Sequence, residues 1–355
     1  MANLFKEIEI TNFRGFDNLK IDNLSKLNVF IGANNVGKTS ILESVFLITG
    51  MSNPIVQARI NLLRSNNFAN PDGTTLDGAR YLFHNLNLSI VPTISTRMND
   101  GGIRKISLSA DLKNDTENLT ASSNVSNRAS IKQLNFNFND KDDQSSAYHS
   151  SIYSDTNGEL RQTIDSRYTE TINGLFIPGD KNDGSASTHF SSLVKRGGKQ
   201  LVIDVIKEFQ DSIETIEALP DGLYLQINGI QELLPISMSG DGIRRMINII
   251  SSILDVDYHI VMIDEIDNGL HYSAHKLIWR TILKFAQQRD IQLFVTTHNI
   301  DCLLGLKNAM EENPEFQGLT NVYNIAKTKT KGFKSYRYSY NELKEAIEQE
   351  IEIRR

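Results

Sequence analysis

The stretch Gly32-Ala33-Asn34-Asn35-Val36-Gly37-Lys38-Thr39 decides how this chain is read. It fills every fixed position of the pattern G-x-x-x-x-G-K-[ST]. The glycines let the backbone curl, so that successive N–H groups and the N-terminus of the next helix converge on phosphate oxygens. Lys38 is then placed to reach the β- and γ-phosphates, and the Thr39 hydroxyl to ligate Mg²⁺. With Asn34, Asn35, Gly37 and Ser40, these residues form the candidate phosphate loop. A Gly/Asn-rich turn that ends in Lys-Thr by coincidence is the competing reading, and the flanks argue against it. Leu27 to Gly32 reads as a buried strand, and Lys38 to Ile48 carries Ile41, Leu42, Val45 and Phe46 at helical spacing.

Further along, Ile260-Val261-Met262-Ile263 run into Asp264-Glu265. A buried strand that ends in two acids leaves carboxylates at the carboxyl edge of a sheet, where ligands of α/β proteins gather. Asp264 is the candidate metal ligand, acting through water, and Glu265 the candidate base for an attacking water. Acids after an apolar strand are ordinarily a solvated loop; the complete phosphate loop upstream makes these a Walker B pair. Leu293 to Thr296 reads as another buried strand, ending in Thr297-His298. His298 is either a hydrogen-bonding residue at a strand end or a neutral imidazole that donates to the γ-phosphate and holds the water. The candidate catalytic residues are therefore Glu265, His298 and Lys38, with Thr39 and Asp264 at the metal.

The chain has 355 residues, 39% hydrophobic and 23% charged, enough to bury a large core and unlike a disordered composition. Its formal net charge of −6 supplies no global positive field, so a DNA contact would need a local patch. Cys302 is the single cysteine, which excludes an internal disulfide framework and Cys-built zinc sites and makes a reduced, cytoplasmic setting the default. No apolar run approaches membrane-spanning length, and Met1 to Phe13 alternates rather than following a signal-peptide layout, so a soluble protein with no membrane association is expected.

Organisation follows from periodicity. Phe5 to Asn12 reads as an amphipathic strand. From Leu86 to Tyr168, short alternating runs (Leu88–Thr96, Ile103–Leu112, Ile131–Phe138, Leu160–Tyr168) separated by Asn, Asp, Ser and Gly predict an antiparallel β meander. Asn114 to Ser130 reads as a flexible loop. Leu201 to Leu219 predicts one amphipathic helix ended by Pro220-Asp221-Gly222. A helix after Gly242, a strand His259–Asp264, a helix Ser273–Gln288 and a strand Gln292–Thr296 follow, then a strand pair and a final helix, Asn341 to Ile353. The expected division is a discontinuous head of residues 1–50 plus 236–355, with 51–235 as an insertion carrying the β meander and a helical arm.

Asn12-Phe13-Arg14-Gly15-Phe16, the phosphate loop, Ser239-Gly240-Asp241-Gly242-Ile243-Arg244-Arg245, Asp264-Glu265-Ile266-Asp267-Asn268-Gly269-Leu270-His271 and Thr297-His298 together resemble the motifs of ABC-type ATPases of the SMC and RecF kind. The closer likeness is to the ATPase part of the OLD-like family. It covers Leu4–Gly50 and Ile236–Asn299; the middle matches only in position. The resemblance implies an α/β fold, an ABC-type P-loop NTPase head with two lobes, an antiparallel β lobe and a helical insertion. It implies ATP and Mg²⁺ as cofactors, and a homodimer or higher oligomer closing head to tail around ATP. Ser239, Gly240 and Gly242 would be the signature that caps ATP held by the other subunit, adding helix N-terminal N–H groups toward the γ-phosphate. Ser-Gly-Asp-Gly is also ordinary turn chemistry and departs from the transporter form Leu-Ser-Gly-Gly-Gln, so position rather than letters carries the assignment. Asp267-Asn268-Gly269 would be the D-loop. Arg14 would lie near the phosphates, where its plainer role is a surface arginine after an edge strand.

The same likeness leaves gaps. Gln57 falls early for a Q-loop, and the alternative, Phe83-His84-Asn85, has no glutamine; the aromatic that stacks on adenine is unassigned. The stretch after His298 is too short for the Toprim nuclease domain of the full OLD nucleases, so a nuclease would be a separate chain. The implied role is a nucleotide-gated switch in bacterial anti-phage defence with a separately encoded effector nuclease or toxin. Its rivals are a RecF-like DNA-repair clamp, which requires duplex-DNA binding with steep salt dependence, and an ATP-assembled scaffold with negligible turnover. An intact Glu265 argues against the scaffold.

Two features stand apart. Lys327, Lys329, Lys331, Lys334 and Arg337 interleave with Phe333, Tyr336 and Tyr338, which suits either a nucleic-acid backbone or, as favoured, an edge hairpin whose lysines discourage pairing. His271 and His275 are spaced i,i+4, but no suitable third ligand stands near, and no zinc site is expected.

Overall fold

The computed structural model describes residues 5–56, 60, 76–112, 130–140, 147–155, 157–179, 185–255, 258–328 and 332–349. Alternation makes the first strand: β1 (Phe5–Phe13) buries Phe5, Ile8, Ile10 and Phe13, and a tight turn at Arg14-Gly15 returns it as β2 (Phe16–Ile21). β3 (Leu27–Ile31) is buried at every position and leads through the phosphate loop into α1 (Lys38–Thr49). Then come β4 (Thr93–Met98), β5 (Ile103–Leu112), β6 (Ile131–Asp140), β7 (Tyr148–Ser154) and β8 (Leu160–Thr163). With β1 and β2 they form a seven-stranded antiparallel sheet ordered β2-β1-β4-β5-β6-β7-β8.

The chain continues through β9 (Gly174–Ile177), α2 (Ser185–Lys195), α3 (Lys199–Phe209), β10 (Ile213–Leu219), β11 (Gly222–Ile227) and β12 (Leu234–Pro235). After these come α4 (Asp241–Asp255), β13 (Ile260–Ile263), α5 (Tyr272–Gln288), β14 (Gln292–Thr296), α6 (Ile300–Glu312), β15 (Thr320–Thr328), β16 (Gly332–Tyr338) and α7 (Tyr340–Glu348). The second large sheet has six strands, β16-β15-β3-β14-β13-β9, parallel except where β16 pairs with β15.

Period two decides what each face of this sheet meets. Val29, Ile31, Val261, Ile263, Leu293 and Val295 face one core with α4, α5 and α6. Phe30, Ile260, Met262 and Phe294 face the other, shared with α1 and the antiparallel sheet. Helix α1 is thus clasped between two sheets, and the loop at its N-terminus is anchored from both sides. The arrangement is an ABC-type P-loop NTPase head with two lobes.

Three sequence expectations change. Leu201 to Leu219 is not one helix: α3 ends at Phe209, and Ile213–Leu219 is a strand of the small sheet β10-β11-β12. Ile213 and Ile216 sit three apart, the spacing of a helix face, because the register with β11 shifts between Ile213 and Thr215 and brings both inward. Pro220-Asp221 is the tip of that hairpin, closed by the Leu219–Gly222 pair, not a helix stop. The stretch after His298 opens with α6, whose N-cap Asn299 accepts the Asp301 N–H, before the strand pair. β2, β7, β9, β11, β12 and α2 had no sequence counterpart. Most of the loop expected at Asn114 to Ser130 lies outside the described residues, as do Gln57, Lys329, Lys331 and the end of the final helix. Among the described residues no helix is long and apolar enough to cross a membrane.

Candidate functional site

The phosphate loop depends on its two glycines. Gly32 has φ 143° and Gly37 φ 97°. A Cβ on Gly32 would lie 2.5 Å from the Ile325 carbonyl oxygen, and one on Gly37 2.6 Å from the Phe16 ring. Backbone angle and space together exclude a side chain at either position. Lys38 Nζ donates to the Gly32 and Ala33 carbonyls, each at 3.0 Å, which folds its ammonium over the loop.

Thr39 donates to the two carboxylate oxygens of Asp264 at 3.0 and 3.2 Å. Thr296, closing β14, secures the acids: its hydroxyl donates to Asp264 at 2.6 Å and accepts the Glu265 N–H at 2.8 Å. Glu265 itself has φ 44°, a left-handed conformation that costs a β-carbon-bearing residue roughly 1–3 kcal/mol and persists only where neighbours hold it. Arg245, buried on α4, is one such neighbour. Its guanidinium donates to the carbonyls of Asp264 at 2.6 Å, Glu265 at 3.2 Å and Pro178 at 2.5 Å. Gly179 is another, since a Cβ there would come within 3.0 Å of the Glu265 Cβ. Past the acids, Thr297 donates to Asp267 at 2.7 Å, and Asn268 to the Gly179 carbonyl at 2.8 Å.

Burial pushes the Glu265 carboxyl above its ordinary range and adjacent Asp264 pushes the same way, with His298 and Lys38 pulling back. Burial lowers Lys38 from the usual lysine value, against the pull of Glu265, Asp264 and Asp267. A cavity of about 710 Å³ receives these groups. Its wall includes Arg14, Asn34, Asn35, Gly37, Lys38, Thr39, Ser40, Asp264, Glu265 and His298. Ser239, Gly240 and Gly242 are not in that wall. They form the turn into α4, where Ser239 donates to the Ile236 carbonyl at 2.6 Å and a Cβ on Gly242 would lie 3.0 Å from the Gly269 carbonyl oxygen. The hydroxyl of Thr39 beside the carboxylate of Asp264 is a hard-oxygen pair, a donor set that suits Mg²⁺.

Arg14 lines the cavity, yet its guanidinium is gripped by Glu43 of α1 at 2.6 and 3.1 Å, with the two side chains 8% and 0% exposed. Sequence reading missed Glu43, although an acid inside the apolar run Ile41-Leu42-Glu43-Ser44-Val45 signals a buried partner. It also missed Tyr81 and Leu86, which line the cavity together with Phe83 and Asn85 of the segment tried as a Q-loop. Asn85 and Leu86 have φ 51° and 58°, strain with no sequence signature. His271 caps α5 and contacts Ser273 at 3.0 Å, whereas His275 is buried with neither ring nitrogen hydrogen-bonded.

Fold and site together define a P-loop ATPase head of the AAA, SMC and RecF type. The chain belongs to the family described as "AAA domain, putative AbiEii toxin, Type IV TA system", whose model matches residues 27–303. A Helicobacter pylori protein named ATP/GTP phosphatase is 25% identical over 336 residues, 87% of this chain and 89% of its own. The DNA replication and repair protein RecF of Lactococcus lactis is 46% identical over 43 residues, 12% of either chain. An SMC head solved with the C-winged helix domain of ScpA has the same fold, with TM-score 0.50 and 10% identity over 97% of this chain and 99% of that one.

Proposed function

We propose that this chain binds and hydrolyses ATP with Mg²⁺ and uses its nucleotide state as a switch. The carrying observation is Thr39 meeting Asp264 at 3.0 Å directly beside Glu265. Mg²⁺ held at those oxygens would offset charge on the β- and γ-phosphates. Lys38 and the loop N–H groups bind the phosphate oxygens. Glu265 orients the attacking water and takes its proton. His298, exposed at the cavity rim, donates to the γ-phosphate. Phosphate release from ATP by Glu265→Gln and Lys38→Ala tests this: both should lose turnover, while only Lys38→Ala should lose ATP binding. A wild-type rate in Glu265→Gln would remove its assignment as base, and negligible turnover in the wild-type chain would favour the scaffold.

The chain acts as a head-to-tail homodimer, each site completed by Ser239, Gly240 and Gly242 of the second copy. Support comes from the OLD-like and SMC-like resemblance and from the position of that turn outside its own chain's cavity. The cellular role is anti-phage defence with a separately encoded nuclease or toxin. That reading is supported by the OLD-like resemblance and by a family description that names a toxin and a toxin–antitoxin system. In a native-host pull-down under ATP and Mg²⁺, a protein held by Glu265→Gln bait but not by Lys38→Ala bait would support it. Duplex DNA without a protein partner would favour the RecF-like clamp.

A further inference from the structure

The seven-stranded antiparallel sheet ends differently at its two edges. At one, β2 is covered by the hairpin of the other sheet: Ser335 of β16 donates to the Lys20 carbonyl at 2.8 Å, and Phe333 packs on Phe16 with ring centroids 4.8 Å apart. At the other, β8 pairs with β7 and, among the described residues, with no further strand. The outward N–H and C=O groups of such an edge are a template for one more strand.

The side chains at this edge continue the buried face of the sheet without its cover. Ile152 stands opposite Gln162, and Ser154 opposite Leu160. Ile152 belongs to the core shared with α1, yet all four residues of β8 are exposed. Leu160 is 44% exposed, and Ile164, just past the strand, 46%. Asp165 accepts the His149 N–H at 3.1 Å and donates its own to the Ser150 hydroxyl at 3.4 Å, so the chain stays beside β7 through Ile164. By period two, Leu160, Gln162 and Ile164 share one face.

This stretch is complementary to itself. Laid antiparallel on a second copy with Gln162 on the twofold axis, Leu160 meets the second copy's Ile164, and Ile164 its Leu160. Each apolar side chain that lacks cover in one chain finds it in the other. Moving the axis by one residue sets Gln162 against Leu160 or Ile164 and loses both apolar pairs. Glu159 and Asp165 oppose each other at the ends, each already held by an arginine of its own chain, Arg161 and Arg167.

We propose that β8 is a self-association edge, through which two copies join their antiparallel sheets into one without nucleotide. The contact is isologous and closes at two copies. Five residues a side bury far less than the roughly 1,200 Å² of a stable interface, so association is weak, with Kd at about 10–100 μM. It is separate from the head-to-tail contact around ATP and does not rest on it.

The test uses the full chain without nucleotide. Cα atoms of directly opposed residues lie roughly 4.5–5.5 Å apart, within disulfide reach, whereas diagonal pairs lie roughly 7–8 Å apart, beyond it. Mild oxidation should therefore link Gln162→Cys into dimers and leave Thr163→Cys unlinked, with Cys302 buried and out of reach. In sedimentation the unmodified chain should dimerise as its concentration rises, and so should Lys38→Ala. Gln162→Lys sets two ammonium groups against each other and should weaken association about fivefold, as should Gln162→Glu with its two carboxylates. An equal mixture of the two should recover it, which misfolding of either variant would not allow. A chain entirely monomeric at about 100 μM would overturn the proposal and leave the edge to a strand of another protein. Equal crosslinking of the two cysteine variants, or association unchanged in both charged variants, would overturn it as well.

Discussion

Glu265 is held where its charge is disfavoured, half-buried, beside Asp264 and on a left-handed backbone. As base it must be ionised, and its pKa is raised, so the acidic limb of kcat/KM should lie above the ordinary glutamate range. Lys38 must stay protonated to hold phosphate, and its pKa is lowered, so the alkaline limb should begin below the ordinary lysine range. A pH profile should thus narrow from both sides; an acidic limb at the ordinary carboxylate value would contradict the environment described. Glu265→Gln should lower kcat by roughly 10²–10⁴-fold. The same substitution should stabilise the protein. A carboxyl whose folded pKa exceeds its unfolded one contributes destabilisation that is absent below the unfolded value and complete above the folded value. Solvent screening keeps the gain small, about 1–2 °C in Tm near neutral pH, vanishing in acid. Thermal melts across pH would check this.

Two elements meet the site through buried arginines, and each can be broken separately. Arg245 ties α4 to the backbone of Asp264, Glu265 and Pro178, about one turn past the Ser239-Gly240 turn. Arg245→Ala leaves buried carbonyls without a charged donor, a loss of about 2–4 kcal/mol, and should also reduce turnover because Glu265 loses its restraint. A variant that melts earlier yet turns over normally would show that α4 does not position the base. Arg14 is different: with Glu43 beneath it, Arg14→Ala strands a buried carboxylate at about 3–5 kcal/mol. Arg14→Met with Glu43→Leu should recover most of that stability in denaturant titration. Activity lost in the double variant is then attributable to Arg14 at the cavity rather than to unfolding. Legibility in the sequence divides along similar lines. The phosphate loop, β13 and β14 were readable because glycine spacing and buried runs are local signals. The α3–β10 break was not, because a register shift gave a strand the spacing of a helix. The Arg14–Glu43 and Arg245 contacts were not, because their partners come from separate elements. The cavity of about 680 Å³ beside the phosphate loop was least readable, since Asp17, His84 and Phe333 lie far apart along the chain.

At the scale of the whole molecule, the Ser239-Gly240 turn and the phosphate cavity are separate places on one chain. Met238 and Tyr272, 78% and 67% exposed, lie beside the Ser239-Gly240 turn and the Asp267-Asn268-Gly269 segment, and are the most exposed large apolar side chains among the described residues. A head-to-tail dimer makes sense of both facts and has an arithmetic consequence. Lys38→Ala disables a site through its phosphate loop; Ser239→Arg disables a site through the turn it offers to the partner. Either variant alone should be inactive. In a mixed dimer one site carries both lesions, while the other combines an intact loop with an intact turn. Random pairing of an equal mixture makes about half the dimers mixed, each with one good site. Roughly a quarter of wild-type turnover should return on mixing if the two sites work independently. The same mixture in which both partners carry Lys38→Ala should stay inactive. If each site were complete within its own chain, Ser239→Arg alone would retain turnover, and mixing would only dilute it. Measured against mixing ratio, complementation should peak at equal amounts, a dependence that no arrangement with self-sufficient sites reproduces.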